Sequence, residues 1–394
     1  MAGSRPVILV AGAGIGGLTA ALALAARGFQ VTVVEKAERL EEAGAGLQLS
    51  PNASSILVGL GLGPQLSTCA IAPDAVSVMS GRRGVELARL PLNEASTDAP
   101  YWVIHRADLQ AALAAQVRAH PGIDLRLGCQ LESFTTAASG LRASLRQGAA
   151  IQQQSADVLI GADGVWSGVR QQLCPAVQPR FSGLIAWRGT VDTAQLPNDP
   201  APNRVQLWMG SNAHLVTYPI SGGRQTNVVA ISSGSWHEPG WSVAASASEV
   251  AAAFDAQRWA ATTRAMIGTI AHWRKWALFT LPNSLRWTEG ATALLGDAAH
   301  AMLPFAAQGA AMAIEDAAVL AACLADRPDD VTSALQRYAG LRQPRATRVQ
   351  NLAQSNGRIY HLAGPAAAAR DMTIRMLGGR RLLARQNWIY DWRA

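Results

Sequence analysis

Apolar residues along this chain fall into two rhythms, and the switches between them mark its elements. Val7 to Ala11 is an unbroken apolar run, as expected of a strand covered on both faces. It stops at Gly12. An Ala/Leu-rich helical pattern is under way by Gly17 and lasts to Gly28, and a second apolar strand, Val31 to Val34, ends in Glu35. A Gly-rich loop, Gly44 to Ala53, leads into a helix expected from Ser54. Alternating runs between Val76 and Leu92, broken by Gly81 and Gly84, predict a hairpin, and Ala107 to Ala119 predicts an amphipathic helix. Strand-length pieces follow at Asp124–Leu127, Leu131–Thr135 and Leu141–Leu145. Asp157 to Ile160 is again a buried strand, closed by Gly161-Ala162-Asp163-Gly164.

From about Phe181 to Leu281 the period becomes two, as in Ala213–Pro219 and Thr226–Ile231, and eight of the twelve tryptophans lie between Trp187 and Trp287. This predicts a mainly antiparallel sheet with one helix, Ala244–Trp259. The buried strand returns at Ala291–Leu295, closed by Gly296-Asp297. A long helix is expected from about Gly309 to Ala325, and the remainder to Trp388 reads as mostly helical. The fold class is therefore α/β: a Rossmann-like domain, an inserted mainly antiparallel sheet domain and a helical C-terminal region. The first is expected to be discontinuous, over 1–72, 100–180 and 282–394, and the sheet domain to comprise 73–99 and 181–281.

The opening strand, Gly12-x-Gly14-x-x-Gly17, helix, strand and acid form the dinucleotide-binding βαβ fingerprint. Gly12 permits the tight turn, Gly14 lets backbone N–H groups approach a pyrophosphate, and Gly17 lets the helix sit close on the strand. The helix N-terminus adds unpaired donors and positive dipole charge for the phosphates. Glu35 is placed to accept hydrogen bonds from ribose hydroxyls. The fingerprint alone leaves FAD and NAD(P) equally open.

Composition narrows the class. In 394 residues, 49% are hydrophobic, enough for a full core. The first apolar run is the glycine-interrupted βαβ unit, so no signal peptide is read there, and no apolar stretch has the roughly 20 residues of a membrane span. Cys69, Cys129, Cys174 and Cys323 make neither metal-ligand nor disulfide spacing, so no metal is expected and a cytoplasmic setting is. Basic residues exceed acidic ones, 34 against 27, and Gly340 to Ala394 carries ten arginines and two aspartates. Such a run suits an anionic partner or a solvated helical face. Without nucleic-acid motifs or interleaved aromatics the second is preferred, and neither nucleic acid nor a stable membrane association is expected.

Five stretches together resemble one family. They are Gly12-x-Gly14-x-x-Gly17 with Glu35; Gly44-Ala45-Gly46…Pro51-Asn52-Ala53; His105-Arg106-Ala107-Asp108-Leu109; Gly161-Ala162-Asp163-Gly164-Val165-x-Ser167-x-Val169-Arg170; and Gly296-Asp297-Ala298-Ala299-His300…Pro304…Gln308-Gly309-Ala310…Ile314-Glu315-Asp316-Ala317. In order and spacing they resemble the single-component, FAD-dependent aromatic hydroxylases, in the branch of salicylate hydroxylase, 3-hydroxybenzoate 6-hydroxylase and 6-hydroxynicotinate 3-monooxygenase. The resemblance implies a resident FAD, held by Gly12, Gly14, Ile15, Gly16, Gly17, Glu35, Lys36, Gly46, Leu47, Arg106, Leu131, Asp163, Arg170, Asp297, Gly309, Ala310 and Ala311. Within that set Asp297 would bond the ribityl chain and Leu131 would line the adenine side. Asp163 and Arg170 would serve the pyrophosphate and the NAD(P)H contact, or form a structural pair. The helix N-terminus at Gly309 would favour the anion that forms at flavin N1 on reduction.

No second strand-bound Gly-x-Gly-x-x-Gly exists, since Gly59-Leu60-Gly61-Leu62-Gly63-Pro64 follows a helix and reads as a turn. NAD(P)H would then be a visiting co-substrate, as in the family. The implied reaction is hydroxylation of a small phenol-type ring by O2 through a flavin hydroperoxide, in a monomer or homodimer. Oxygenation of a natural product or antibiotic, and flavin reduction without oxygen insertion, remain the alternatives. Period two puts His214, Val216 and Tyr218 on one strand face. Tyr218, His214 and Gln48 are the catalytic candidates, although glutamine cannot act as a base. Gln48, Arg188, Tyr218, Pro304 and Phe305 are the substrate candidates, with Trp187 beside Arg188. Glu315, Asp316 and His300 are expected to be structural. Ala301 stands where the family has proline, which suggests a less rigid loop.

Overall fold

In a computed structural model of the chain, the described residues are 5–40, 46–94, 99–137, 140–196, 203–238, 240–254 and 258–394. Gly44 and Ala45 of the Gly-rich loop lie outside them. The apolar runs form a six-stranded sheet in the order Thr288–Glu289, Thr292–Leu294, Val158–Gly161, Val7–Ala11, Gln30–Glu35, Ile123–Leu127. All its pairings are parallel except the short Thr288–Glu289 hairpin. The strands are buried on both faces because helix Ile15–Ala25, with Gly309–Asp326 packed against it, covers one side and the antiparallel sheet Cys129–Ala137, Gly140–Gln147, Ala150–Ala156 covers the other. Their apolar side chains, with those of helices Arg106–Ala119 and Val331–Tyr360, make one continuous core.

A second sheet has eight strands. Its order is Ser242–Ala245, Trp273–Thr280, Arg180–Asp192, Gln225–Ser233, Ala213–Ile220, Arg204–Gly210, Ala75–Ser80, Val85–Pro91. Arg204–Gly210 pairs in parallel with Ala75–Ser80, and every other neighbour is antiparallel. Residues 75–91 thus join a sheet whose other strands begin about 90 residues later. One face carries a tryptophan-rich core of Trp187, Trp208, Trp259 and Trp273 under helices Ala247–Ala253 and Ala261–Gly268. The other face carries Ala186, Val229 and Ile231 and looks toward Phe305, in the turn before helix Gly309–Asp326.

Four expectations change. Gly46–Leu49 is a strand paired with Trp102–His105, and the following helix starts at Pro51, where proline is favoured at a first helical position. The helix expected over Ala244–Trp259 is split: Ser242–Ala245 is an edge strand, Ala247–Ala253 is helical and capped by Ser246, and 255–257 lie outside the described residues. Trp187 belongs to the core face turned away from Phe305, because strand alternation puts it opposite Arg188. The C-terminal arginines are not one solvated face. Arg342 and Arg370 are buried, and Arg345, Arg348 and Arg380 are held by Glu315, Trp388 and Glu94. Among the described residues, no helix is long and apolar enough to cross a membrane, and no group of three or more metal-ligating side chains is found.

Candidate active site

Strand order in the six-stranded sheet reverses at Val7–Ala11, with Gln30–Glu35 on one flank and Val158–Gly161 on the other. Open α/β sheets take ligands in the crevice at such a switch point, outside the carboxyl ends of the strands. Here Gly12–Gly17, Asp163–Gly164 and Gly296–Asp297 border it.

The turn after the first strand explains its glycines. Gly12 has φ +106°, and a Cβ there would lie 2.4 Å from the Ala162 carbonyl oxygen. A Cβ on Gly17 would lie 1.9 Å from the Gly12 oxygen, and one on Gly16 2.7 Å from the Leu295 side chain. Gly14 differs, because nothing stands within 4 Å of the place its Cβ would take. Helix Ile15–Ala25 begins immediately after it, with Ile15 buried and no side chain capping the first turn. The packed side of this turn demands glycine and the open side is bare backbone, which is the form of a phosphate cradle and fits a dinucleotide. Glu35 is fixed beside it, accepting from the Ala13 N–H (2.9 Å) and the Ala37 N–H (3.0 Å). Exposed Lys36 follows. Half-buried Leu131 is brought near by the Gly128 N–H, which donates to the Ala37 carbonyl at 2.9 Å.

Asp163 and Arg170 separate in role. Oδ2 of Asp163 accepts from the Gly168 and Val169 amides, whereas its Oδ1 is buried without a partner, and burial pushes its carboxyl above the usual range. Arg170 is fully buried and donates to the carbonyls of Val165 (2.7 Å) and Ala298 (3.3 Å). Its guanidinium braces two loops of the crevice from beneath, so the expected nucleotide contact becomes an indirect one. Asp297, by contrast, is exposed at the start of helix Asp297–His300. Arg106 opens helix Arg106–Ala119 within electrostatic reach of Asp297 and Arg188. Burial and then the Arg188 charge lower its pKa, and Asp297 opposes them.

Helix Gly309–Asp326 starts from Gln308 without a side-chain cap, so the amides of Gly309, Ala310 and Ala311 keep their full dipole. Gln308 instead donates to Ser50 Oγ (2.8 Å) and accepts from Asn52 Nδ2 (3.1 Å). Below this turn lies a buried ionic network. Glu315 and Asp316 are fully buried. Arg342 Nε reaches Asp316 at 2.7 Å, and its Nη1 lies 2.6 Å from Glu315 as an ion pair rather than an aligned hydrogen bond. Arg345 adds two bonds to Glu315, and Asp316 also accepts from His300 Nε2 (2.5 Å) and the Gly296 N–H (3.1 Å). Burial opposes the charge on Asp316, but His300 and Arg342 hold its pKa down to about 2. The network thus pins the loop that carries Asp297 to the helix that starts at Gly309. The Ala301 loop is tied as well, its carbonyl accepting from the Leu281 N–H at 3.1 Å and from Gln350 at 3.4 Å.

The inserted sheet supplies the opposite wall. A Cβ on Gly46 would lie 2.4 Å from Tyr218 Cε2, so glycine there lets the buried tyrosine cross the strand Gly46–Leu49. The Gly46 N–H is already given to Asn227 Oδ1 (2.8 Å), so any role toward a cofactor is one of shape; Leu47 is half-buried beside it. Burial raises the Tyr218 pKa, and nearby Arg188 partly opposes the rise. The Arg188 Nε is buried without a hydrogen-bond partner, and its guanidinium sits 5.4 Å from the Trp276 ring. Gln48 accepts from the Tyr101 hydroxyl at 2.7 Å, and Tyr390 meets Tyr101 edge-on. Phe305 is packed against Gly357, with the half-buried Pro304 at its side, and its ring lies 5.0 Å from His214.

Tyr101, Gln110, Asn227 and His361 were not anticipated. Gln110 ties its helix to the glycine turn through the Ala13 carbonyl, and His361 pairs with His214. Period two along Thr226–Ile231 could have placed Asn227 opposite Tyr218, its partner in the ladder. Nothing local marks the other three.

A family model described as an FAD binding domain matches residues 5–353. The chain is 36% identical over 387 residues to 3-hydroxybenzoate 6-hydroxylase 1 of Aquipseudomonas alcaligenes, covering 97% of each protein. It is 33% identical to 6-hydroxynicotinate 3-monooxygenase of Bordetella bronchiseptica, covering 89% of this chain and 91% of that one. A solved salicylate hydroxylase substrate complex superposes with a TM-score of 0.85 at 26% identity, over 99% of this chain and 96% of that one.

Proposed function

Since this chain belongs to the family of FAD-dependent aromatic hydroxylases, we propose that it hydroxylates a small aromatic ring bearing both a phenol and a carboxylate, with NAD(P)H and O2. The observation that carries the substrate class is Arg188. It is a guanidinium in the wall of the site, with a buried unpartnered Nε, beside Tyr218 and within electrostatic reach of the cationic Arg106. A buried guanidinium with an unpartnered Nε, bonded to no carboxylate among the described residues, is a positive charge that an anionic substrate would satisfy. The named substrates of the relatives, hydroxybenzoate, hydroxynicotinate and salicylate, share that chemistry.

The residues fit the cofactor. The cradle at Gly14 would receive the pyrophosphate, with the orphaned Asp163 Oδ1 beside it as an acceptor for a water or hydroxyl rather than for the phosphate, and Glu35 would hold the adenosine ribose and Asp297 the ribityl chain. The first-turn amides at Gly309 would face the ring system. Bound FAD, reduced by the nicotinamide coenzyme, supplies activated oxygen. The chain holds the aromatic ring between Tyr218 and the Phe305 loop, orients its carboxylate on Arg188 and keeps water out. Tyr218, with its raised pKa, stays a neutral hydrogen-bond donor to the ring oxygen, and His214 is the candidate proton acceptor. Gln48, already bonded to Tyr101, positions rather than reacts.

The test is oxidation of NADH and NADPH by the purified flavoprotein over a panel of hydroxybenzoates, hydroxynicotinates and anthranilate, with peroxide and product mass followed in parallel. The expected result is stimulated oxidation and a product one oxygen heavier, with Arg188→Met raising KM for the carboxylate by about tenfold, the loss of one charge-assisted contact. Stimulation with peroxide alone would sink the hydroxylase reading in favour of a reductase.

A further inference from the structure

The long helix Val331–Tyr360 ends on a histidine whose ring serves no helix-capping purpose. The His361 N–H donates to the Gly357 carbonyl, and its own carbonyl accepts from the Asn212 N–H at 3.1 Å. That backbone bond ties the helix end to the turn before strand Ala213–Ile220. The ring then reaches the strand itself: His361 Nε2 lies 2.8 Å from His214 Nδ1. Gly357, which has no side chain, leaves room for Phe305 to lie against both rings, with centroids 5.0 Å and 5.8 Å away. Tyr360 closes the other side and bonds the Phe305 carbonyl.

The charged and titratable groups facing this pair are few. On the His214 side they are His361 and Tyr360. On the His361 side the nearest charge is Arg370, from helix Gly364–Ala384, itself bonded to Asp371. Among the described residues no carboxylate is bonded to either ring, and burial lowers the pKa of both imidazoles, so both are neutral at pH 7. A lone buried histidine of this kind makes a poor base, because keeping the proton means keeping a charge in a dry site. Two bonded imidazoles avoid that charge, since one can pass a proton on as it accepts another.

We propose that His361 is the outer member of a two-histidine proton relay that carries the substrate's phenolic proton from His214 to solvent. The proposal rests on the hydroxylase reading above. In the starting tautomer His214 Nδ1–H donates to His361 Nε2, and His214 Nε2 is bare. The phenol O–H breaks as His214 Nε2–H forms. The Nδ1–H of His214 breaks as the Nε2–H of His361 forms, and the Nδ1–H of His361 gives its proton to water. Three N–H or O–H bonds break and three form, no electrons are transferred, and neither ring is left charged. His361 suits the outer place. It is half-buried and lies two residues before the exposed Ala363, whereas His214 is 2% exposed. The relay resets when the product's ring oxygen takes the proton back from His214 Nε2, His361 Nε2–H returns its proton to His214 Nδ1, and water reprotonates His361 Nδ1.

The experiment uses the oxidised holoenzyme, so that no turnover is needed. Rapid mixing with 3-hydroxybenzoate, or with the panel member that is hydroxylated, is followed by the absorbance change from phenol to phenolate. His361→Gln keeps a hydrogen-bonding group at the Nε2 position but cannot ferry a proton. It should slow ionisation about tenfold while leaving the binding constant and FAD content unchanged. His361→Ala should be slow too, and free imidazole should restore its rate several-fold. An ionisation rate for His361→Gln within twofold of wild type, or no response of His361→Ala to imidazole, overturns the relay. So does a wild type that hydroxylates the ring without ionising it on binding. A wild type that hydroxylates no member of the panel refutes the parent reading instead.

Discussion

Replacing Arg342 by methionine deprives two buried carboxylates of a guanidinium that they share. Arg342 is 1% exposed, and Glu315 and Asp316, its partners at 2.6 and 2.7 Å, are both fully buried. Methionine fills a similar stem volume, so packing loss is small and the penalty is electrostatic. Removing one member of a buried ion network costs about 3–5 kcal/mol, because the remaining charge is desolvated and unpaired. Glu315 retains Arg345, so the burden falls on Asp316, which keeps only His300 and the Gly296 amide. The same loss should loosen the loop that presents Asp297, and FAD should dissociate faster. Urea unfolding of the holoprotein and the rate of flavin release measure the two effects. Adding Asp316→Asn to Arg342→Met should return a substantial part of the stability, since it removes the charge that lost its partner. A loss below about 1 kcal/mol for Arg342→Met, or no recovery in the double variant, would refute the view that this network holds the flavin-side loops.

Two glycines of one turn should fail differently. Gly17→Ala, whose Cβ would meet a backbone oxygen at 1.9 Å, should yield little folded protein, whereas Gly14→Ala should fold with an unchanged apo melting temperature and bind FAD at least about tenfold more weakly. Equal thermal stability for the two would contradict the cradle. Asp297→Ala should be purified largely without flavin while keeping the circular dichroism of the wild type, and a full visible flavin spectrum would remove Asp297 from the site. Acid should destabilise the protein through His361, whose pKa is brought to about 4 by burial and then by Arg370. Its folded pKa lies below the unfolded value of about 6.5, so the unfolded chain takes up the proton first and stability falls as pH drops from about 6.5 to 4, by about 2–3 kcal/mol. His361→Gln should show a correspondingly shallower slope in that window, and an unchanged slope would mean the histidine is already charged in the fold.

What the chain carries locally was legible in one dimension. Val7 to Glu35 folds into strand, turn, helix and strand within 29 residues, so period and glycine spacing suffice to place a candidate phosphate cradle. The same holds for the helix start at Gly309 and the strand end at Gly296-Asp297, each set by neighbours a few residues away. The substrate wall was only half legible. Alternation put His214 and Tyr218 on one face, but Gly46 against Tyr218 depends on how distant segments pack, and Tyr101 on Gln48 depends on the pairing of strands Gly46–Leu49 and Trp102–His105. The C-terminal arginines show the limit most clearly. In sequence they are a basic run, yet Arg345 and Arg342 find their carboxylates 30 and 26 residues earlier, and Arg380 finds Glu94 across 286 residues. Charge pairing over such distances has no periodic signature, because it is fixed by which helix faces meet. The glycine turn of the candidate cofactor cradle is written in the chain, since backbone geometry and glycine sterics are local. The pairing of buried charges and histidines is a property of the folded molecule alone, since it follows from the close approach of chain segments far apart in sequence.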